Sequence, residues 1–371
     1  MTISLVEANM TGLQHSVINR IVLRMLLMDS DIEHINLYCS QAHYEALNIK
    51  DPRISYTPLK VLKPGKFRII KFILESWQTF NIIRKCNDDL VYFLSCFPNV
   101  HYFLTKFHRL VPDKKILITV HGEAEGLVMP GKWKIWSYPF WITRTFNLEV
   151  PDNIYRLVLG KSIYENLRKL GYAKNVFHIE HPYEDFRDSN DILPAKGKNI
   201  FAYVGNCLEK KGGAVFVEAA RQVQDAQFWV VGAYDLQLKY PQNLNVLSKG
   251  KMLSYSEFNS SLEKITYACY PYNSDSYKFT ASGAVFDAIK YLKPIIYIKN
   301  DYFDGIFQGL DVGYRCNDKA EFIAVIQKLN AHDYADEYKR YVANLKHIQK
   351  KFEVNTVAGN LFSIINKIHY A

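Results

Sequence analysis

No apolar run in this 371-residue sequence reaches the ~18 residues that a membrane-crossing helix needs. The six cysteines (Cys39, Cys86, Cys96, Cys207, Cys269 and Cys316) form no CxxC pair and no cluster, which argues against a disulfide framework or a zinc site. Met1 leads into Ile3-Ser4-Leu5-Val6 without a basic stretch or a small-residue cleavage site, so no signal peptide is expected. These absences together predict a cytoplasmic setting. Repeats and low-complexity tracts are also missing. What is present is ordinary globular material, 49% hydrophobic and 22% charged, which excludes a disordered or collagen-like chain. The length suits two domains.

The charge is uneven. The chain holds 46 Lys and Arg against 37 Asp and Glu, a net +9. Residues 1–182 carry 23 basic and 16 acidic side chains, and the remainder 23 and 21. A field on one half points to an anionic partner there: nucleic acid, a phosphorylated substrate or an anionic membrane surface. Lys60–Lys85 holds seven basic residues with Glu75 as its only acid. Gly126–Leu148 has no acid at all, and Lys132–Arg144 inside it mixes three basic residues with five aromatics. That mixture suits a lipid headgroup boundary, with Trp133, Trp136 and Trp141 entering it while Lys132, Lys134 and Arg144 meet headgroups. It also suits a helix packed on the core, and least well a single-stranded nucleic acid.

Short apolar runs alternate with helical periodicity through both halves. Strands are expected at Ile3–Glu7, Ile35–Tyr38, Leu90–Leu94, Lys115–Val120, Tyr155–Leu159, Asn199–Val204, Ala226–Val231, Tyr267–Tyr270 and Pro294–Ile298. Helices are expected at Ser16–Met28, Arg68–Arg84, Ser162–Leu170, Gly213–Val223, Ser256–Leu262 and Ser282–Tyr291. The alternation predicts an α/β chain of two doubly wound, Rossmann-like domains with parallel sheets. The polar stretch Glu184–Lys198 is the expected join. The domains then span residues 1–183 and 184–355, and a final helix within 356–371 packs back on the first.

Ligands of open parallel sheets bind beyond the carboxyl ends of the strands, which selects a few loops. Gly205-Asn206-Cys207-Leu208-Glu209-Lys210-Lys211-Gly212-Gly213 follows a strand and opens a helix. Glycines admit close backbone approach, and a helix start with two lysines attracts a pyrophosphate. The bland alternative is a solvated turn. A second cluster runs from Tyr270-Pro271-Tyr272 to Ser282, Gly283 and Asp287. Asp287, one turn into its helix, either accepts hydrogen bonds from ribose hydroxyls or favours the helix dipole. For Tyr270 and Tyr272 the alternative is ordinary packing.

These motifs resemble those of nucleotide-sugar glycosyltransferases with the GT-B architecture, of the group 1 or family 4 type. The pattern GRLxxxKG reads here as Gly205 to Gly212, with Asn206 in place of Arg. The pattern EGFGLxxxEAxxxGxPVI reads as Phe279 to Ile296, with Phe279 at the first Glu and Asp287 at the second. Asn175–Tyr183 resembles the ending NVxxIxxPY, and Leu117–Gly122 a strand ending in His near the reaction centre.

The resemblance implies a GT-B chain that moves a sugar from a nucleotide-diphosphate donor to a hydroxyl of a saccharide acceptor, free or lipid-linked, in surface or capsular polysaccharide assembly. Gly205, Asn206, Lys210, Lys211, Gly212, Tyr270, Ser282, Gly283 and Asp287 would hold the donor. In the first domain the loop with Gly12 and His15 would face donor phosphate or acceptor, His15 being otherwise a polar helix start. His121 and Glu123 would act at the reaction centre, against the alternatives of a satisfied histidine and a turn cap. No metal-binding motif is read, so no obligatory metal and no cofactor are expected. A sugar-nucleotide epimerase of the same fold and a non-enzymatic basic binding protein remain the rival readings.

Overall fold

A computed structural model describes the chain apart from residues 62–67, 130–133, 136, 184–185, 187–197, 252, 274 and 333 and the side chain of Arg68. It divides into two compact units. Unit 1 comprises Met1–Glu184, Phe279–Ala281 and Val354–Ala371, and unit 2 comprises Asp185–Lys278 and Ser282–Glu353.

Unit 1 alternates strands and helices: β1 (Thr2–Glu7), α1 (Ser16–Met28), β2 (His34–Cys39), α2 (Gln41–Leu47), β3 (Ile54–Pro58), α3 (Arg68–Lys85), β4 (Leu90–Ser95), α4 (Pro98–Lys106), β5 (Lys115–Val120), α5 (Tyr138–Phe146), β6 (Ile154–Leu159), α6 (Lys161–Lys169) and β7 (Val176–Ile179). Its seven strands form one parallel sheet in the order β3-β2-β1-β4-β5-β6-β7. The central strands β4 and β6 are buried along their whole length, as a sheet covered on both faces requires.

Unit 2 continues with β8 (Ile200–Val204), β9 (Cys207–Leu208), α7 (Gly213–Gln222), β10 (Gln227–Val231), β11 (Tyr234–Asp235), β12 (Leu244–Val246), α8 (Tyr255–Lys264), β13 (Tyr267–Tyr270), α9 (Ala284–Lys290), β14 (Ile295–Ile298), α10 (Asp301–Phe307), β15 (Gly313–Cys316), α11 (Lys319–Ala331) and α12 (Ala335–Phe352). Six of these strands make a second parallel sheet, β12-β10-β8-β13-β14-β15, while β9 and β11 pair separately. The last helix, α13 (Val354–His369), returns to unit 1. Its Val357, Leu361, Ile365 and Ile368 recur at helical spacing and join Ile21, Met25 and Leu26 of α1 in one core cluster.

The structure departs from the sequence expectations in two places that matter. The helix expected from Ser282 begins at Ala284, because Gly283 takes the cap position. Trp141 is not a headgroup anchor. It is 8% exposed, its Nε1 donates to the Ile135 carbonyl at 2.6 Å, and its ring meets Phe72, Tyr102 and Phe103. Burying an indole with its N–H satisfied contributes more than a wet contact would, so the face of α5 with Trp141, Ile142, Thr145 and Phe146 is core, while Tyr138 and Arg144 are exposed. Lys132, Trp133 and Trp136 lie outside the described residues.

Candidate functional site

In each sheet the strand order reverses beside the first strand of the unit: between β1 and β4 in unit 1, and between β8 and β13 in unit 2. The loops leaving the carboxyl ends there diverge and open a crevice. Gly12 and His15 follow β1, Gly205 to Gly212 follow β8, and Ser282, Gly283 and Asp287 follow β13, whose last residue is Tyr270, while His121 and Glu123 follow the neighbouring β5.

In unit 2 the loop after β8 is held to the segment after β13 by direct backbone contact. Gly212 has φ +72°, and a Cβ built on it would lie 1.7 Å from the Pro271 carbonyl oxygen. Only glycine permits both. Tyr203, buried in β8, donates its hydroxyl to the Lys211 carbonyl at 3.0 Å. The Lys211 side chain leaves this anchored backbone with its Nζ 5.9 Å and 5.8 Å from the ring centroids of Tyr272 and Tyr277, which stack 4.7 Å apart. Burial first, and the neighbouring Lys210 second, hold the Lys211 ammonium below the ordinary lysine range. An anion arriving beside it would recover that cost. Lys210 and Asn206 are exposed, and no side chain caps the α7 start at Gly213.

The β13 side is more mixed. Tyr270 is fully buried and its hydroxyl donates to the Ala284 carbonyl at 2.7 Å, so it anchors the α9 start and does not face a donor. Ser282 is also buried, with its Oγ 3.4 Å from the Tyr272 hydroxyl. Its side chain is therefore spent on the core. Gly283 is exposed, and a Cβ there would meet nothing within 4 Å. Asp287 sits half-buried in the first turn of α9. Gly205 ends β8 at φ +98°, and a Cβ there would come within 3.0 Å of Ala284, which draws α9 close to the loop.

In unit 1 a buried carboxylate organises the first loop. Glu7, at the end of β1, accepts from the backbone of Asn9 and Met10, from Asn19 Nδ2 and from Ser95 Oγ, at 2.6 to 3.1 Å. Asn19 also reaches His43 Nε2 at 3.0 Å, and His43 Nδ1 lies 2.9 Å from the Gly12 carbonyl. A carbonyl only accepts, so His43 carries its proton on Nδ1 and accepts at Nε2. This chain fixes Gly12 and the start of α1. His15 caps that start in the left-handed region, φ +55°, and its Nδ1 is buried without a hydrogen-bond partner. Burial pulls its pKa down, against the raising effect of Glu7.

His121 follows β5, with its ring centroid 4.8 Å from that of His15. Its Nε2 lies 2.8 Å from the Leu94 carbonyl and must donate there, which leaves Nδ1 as an acceptor. Burial and the nearby His15 lower its pKa to about 4, and burial does the same to His181. Both imidazoles are neutral at pH 7. Glu123 moves the other way: desolvation raises its carboxyl to about 7, against hydrogen bonds from the backbone of Glu123 and His121 that lower it. Glu123 is thus the group able to exchange a proton near neutrality, and His121 a neutral hydrogen-bonding group. Beside this end of the sheet lies a small, partly open pocket lined by Asn9, Glu75, Thr79, Ser95 and Cys96, among others.

Sequence reasoning missed Glu7, His43 and His181. An acid closing the apolar run Ile3–Val6 was a signal for Glu7, whereas His43 acquires its place only through Asn19. An Asp-x-Asp triplet, Asp29-Ser30-Asp31, was passed over as well. It forms the turn between α1 and β2, at the amino ends of the strands, where Asp29 Oδ1 accepts from the Asp31 backbone. Among the described residues no group of three or more His, Cys, Asp or Glu is placed to hold a metal.

Two all-parallel sheets with their switch points lined in this manner can be set beside known structures. No family model and no curated protein matches the sequence. Solved structures do match along the whole chain. A glycosyltransferase from Rickettsia africae is 14% identical, covers 99% of this chain and 98% of its own, and has a TM-score of 0.65. This chain has the GT-B fold. A sucrose-phosphate synthase from Thermosynechococcus elongatus agrees at 12% identity, 99% of both chains and a TM-score of 0.68. HepE from Anabaena, solved with UDP and glucose, agrees at 9% identity, 99% of this chain and 100% of its own, with a TM-score of 0.67. At these identities the GT-B likeness speaks for the fold, and the chemistry has to be read from the site.

Proposed function

We propose that this GT-B chain is a glycosyltransferase that takes a sugar from a nucleotide-diphosphate donor and places it on a hydroxyl of a saccharide acceptor in polysaccharide assembly. The observation that carries the reading is Lys211: a partly desolvated ammonium on a backbone clamped by Gly212 and Tyr203, beside the uncapped start of α7. A site preorganised for negative charge serves a reaction whose leaving group is a diphosphate, because that charge grows as the glycosidic bond breaks. Lys211 and Lys210 would hold the diphosphate, Gly283 would let it approach α9, and Asp287 would accept from the ribose hydroxyls. HepE, a fold relative, was solved with UDP and glucose, which supports a donor of this class.

In unit 1, Glu123 would take the proton of the acceptor hydroxyl, while His15 and His121 supply neutral hydrogen-bonding atoms. Titration calorimetry with UDP, GDP and ADP, followed by product analysis with each nucleotide sugar in the presence and absence of an oligosaccharide, tests the proposal. Nucleotide-dependent heat and acceptor-dependent product are expected. A new sugar nucleotide formed from donor alone would instead identify an epimerase, and the absence of nucleotide binding would end both readings.

A further inference from the structure

The first half of helix α3 has its amphipathic pattern turned inside out, whereas Ile82 and Ile83 near its end are buried in the core. Its only acid, Glu75, is 9% exposed and pairs with Lys71 at 3.3 Å, with Asn99 Nδ2 3.3 Å from the same carboxylate. Ser76 and Thr79 are buried beside it. The outward face, by contrast, carries Ile69 at 53%, Ile70 at 55%, Ile73 at 57%, Leu74 at 45% and Trp77 at 65% exposure. The positions i, i+1, i+4, i+5 and i+8 lie on one side of a helix and form a stripe about 12 Å long. From residue 69 to residue 77 every exposed side chain is large and apolar. A helix in water would show the opposite pattern, and a contiguous apolar patch of this kind marks a surface that something covers.

The charge around the stripe names what covers it. Lys60 is exposed and lies close to the helix, since its carbonyl accepts from Gln78 Nε2 at 3.4 Å. Arg84 and Lys85 are exposed at the other end. The Lys71–Glu75 pair takes up the one acid of α3, so the exposed charged side chains described on the helix, Arg84 and Lys85, and Lys60 beside it are all basic. An apolar centre containing tryptophan with a cationic border is the pattern of a helix lying in a bilayer interface. We infer that α3 is the face by which unit 1 rests on an anionic lipid bilayer, with Ile69, Ile73 and Trp77 entering the acyl boundary and the basic border meeting headgroups. The inference rests on α3 alone and not on the use of a nucleotide sugar. It moves the membrane contact from the aromatic stretch around α5, whose Trp141 is core, to α3, which the sequence marks as an amphipathic helix with basic flanks.

The test is vesicle sedimentation of the full chain with phosphatidylcholine alone and with phosphatidylcholine containing phosphatidylglycerol. The chain should sediment with the anionic vesicles only and be released by high salt, since exposed charges are screened. The double variant Ile73→Ser, Trp77→Ser should partition at least tenfold less, with UDP binding unchanged. Quenching of tryptophan fluorescence by brominated anionic lipid should be large for the wild type and much smaller for Trp77→Phe, a variant that keeps the surface apolar. Wild-type sedimentation of the double variant, or equal quenching in Trp77→Phe, would overturn the inference. So would a vesicle-free dimer that the double variant dissolves, which would make a second copy of the chain the occupant of the face. Loss of UDP binding with lipid binding intact would strike the donor reading and leave this one standing.

Discussion

The rings of His15 and His121 lie 4.8 Å apart at a tilt of 48°, although 105 positions separate them in the chain. One caps α1 in a left-handed conformation, and the other follows β5 and is fixed by its bond to the Leu94 carbonyl. Both are held neutral by burial. On the proposed function, this pair of uncharged imidazoles, one with an unpartnered Nδ1, would exchange hydrogen bonds with hydroxyls. His121→Ala should therefore lower turnover about tenfold to a hundredfold and change donor affinity little, because interactions strengthened in the transition state act on rate. Steady-state kinetics beside calorimetry would show it, and equal losses in both would reduce His121 to a packing residue.

The acid dependence of unit 1 has two opposed parts. His121 and His181, lowered by burial from 6.5 to about 4, bind fewer protons folded than unfolded between those values. Their contribution is in place above pH 6.5 and is lost as pH falls towards 4. Glu123 is raised by burial from 4.5 to about 7, so its contribution is in place below pH 4.5 and is lost as pH rises towards 7. Glu123→Gln should then gain stability relative to wild type steadily from pH 4.5 to 7 and stay level above that. Urea unfolding at several pH values measures the difference, and a flat difference would mean Glu123 is not desolvated.

Lys211 gives the sharpest ligand test. Lys211→Gln keeps most of the side-chain volume against Tyr272 and Tyr277 but removes the charge. Donor affinity should fall about tenfold to a hundredfold, the range for a charge-assisted hydrogen bond, with the melting temperature unchanged or higher. The stability gain follows from removing a partly buried ammonium beside Lys210. Unchanged UDP affinity would take Lys211 out of the site.

Two glycines separate folding from binding. Gly212→Ala sets a methyl group 1.7 Å from the Pro271 carbonyl oxygen at φ +72° and should cost about 3 kcal/mol or more. Gly283→Ala meets nothing within 4 Å at φ −64° and should leave stability within about 0.5 kcal/mol of wild type or raise it. If the diphosphate approaches Gly283, that same methyl weakens donor binding. Melting curves and UDP titrations on both variants check this, and a Gly283→Ala protein with full affinity would place the diphosphate elsewhere.

The alternation of apolar runs and helical periodicity was enough to determine two parallel α/β units, and β5, β13 and α1 stand at the boundaries the sequence suggests. Local pattern sufficed there because a strand buried on both faces must be apolar throughout, and an amphipathic helix must repeat its apolar side chains every turn. The strand-end rule also selects the loops around Gly12, His121, Gly205 and Gly283 from the sequence alone. Which side chains those loops present was a tertiary decision. Tyr270 and Ser282 look as available as Lys211 in the sequence, yet their hydroxyls turn inward, one to the Ala284 carbonyl and the other to the Tyr272 hydroxyl. The pairing of Glu7 with Asn19 and Ser95, the neutrality of His15 and His121, and the outward apolar face of α3 depend on neighbours from distant segments. Burial and hydrogen bonding across a sheet fix protonation and exposure, and neither is a property of the residues alone.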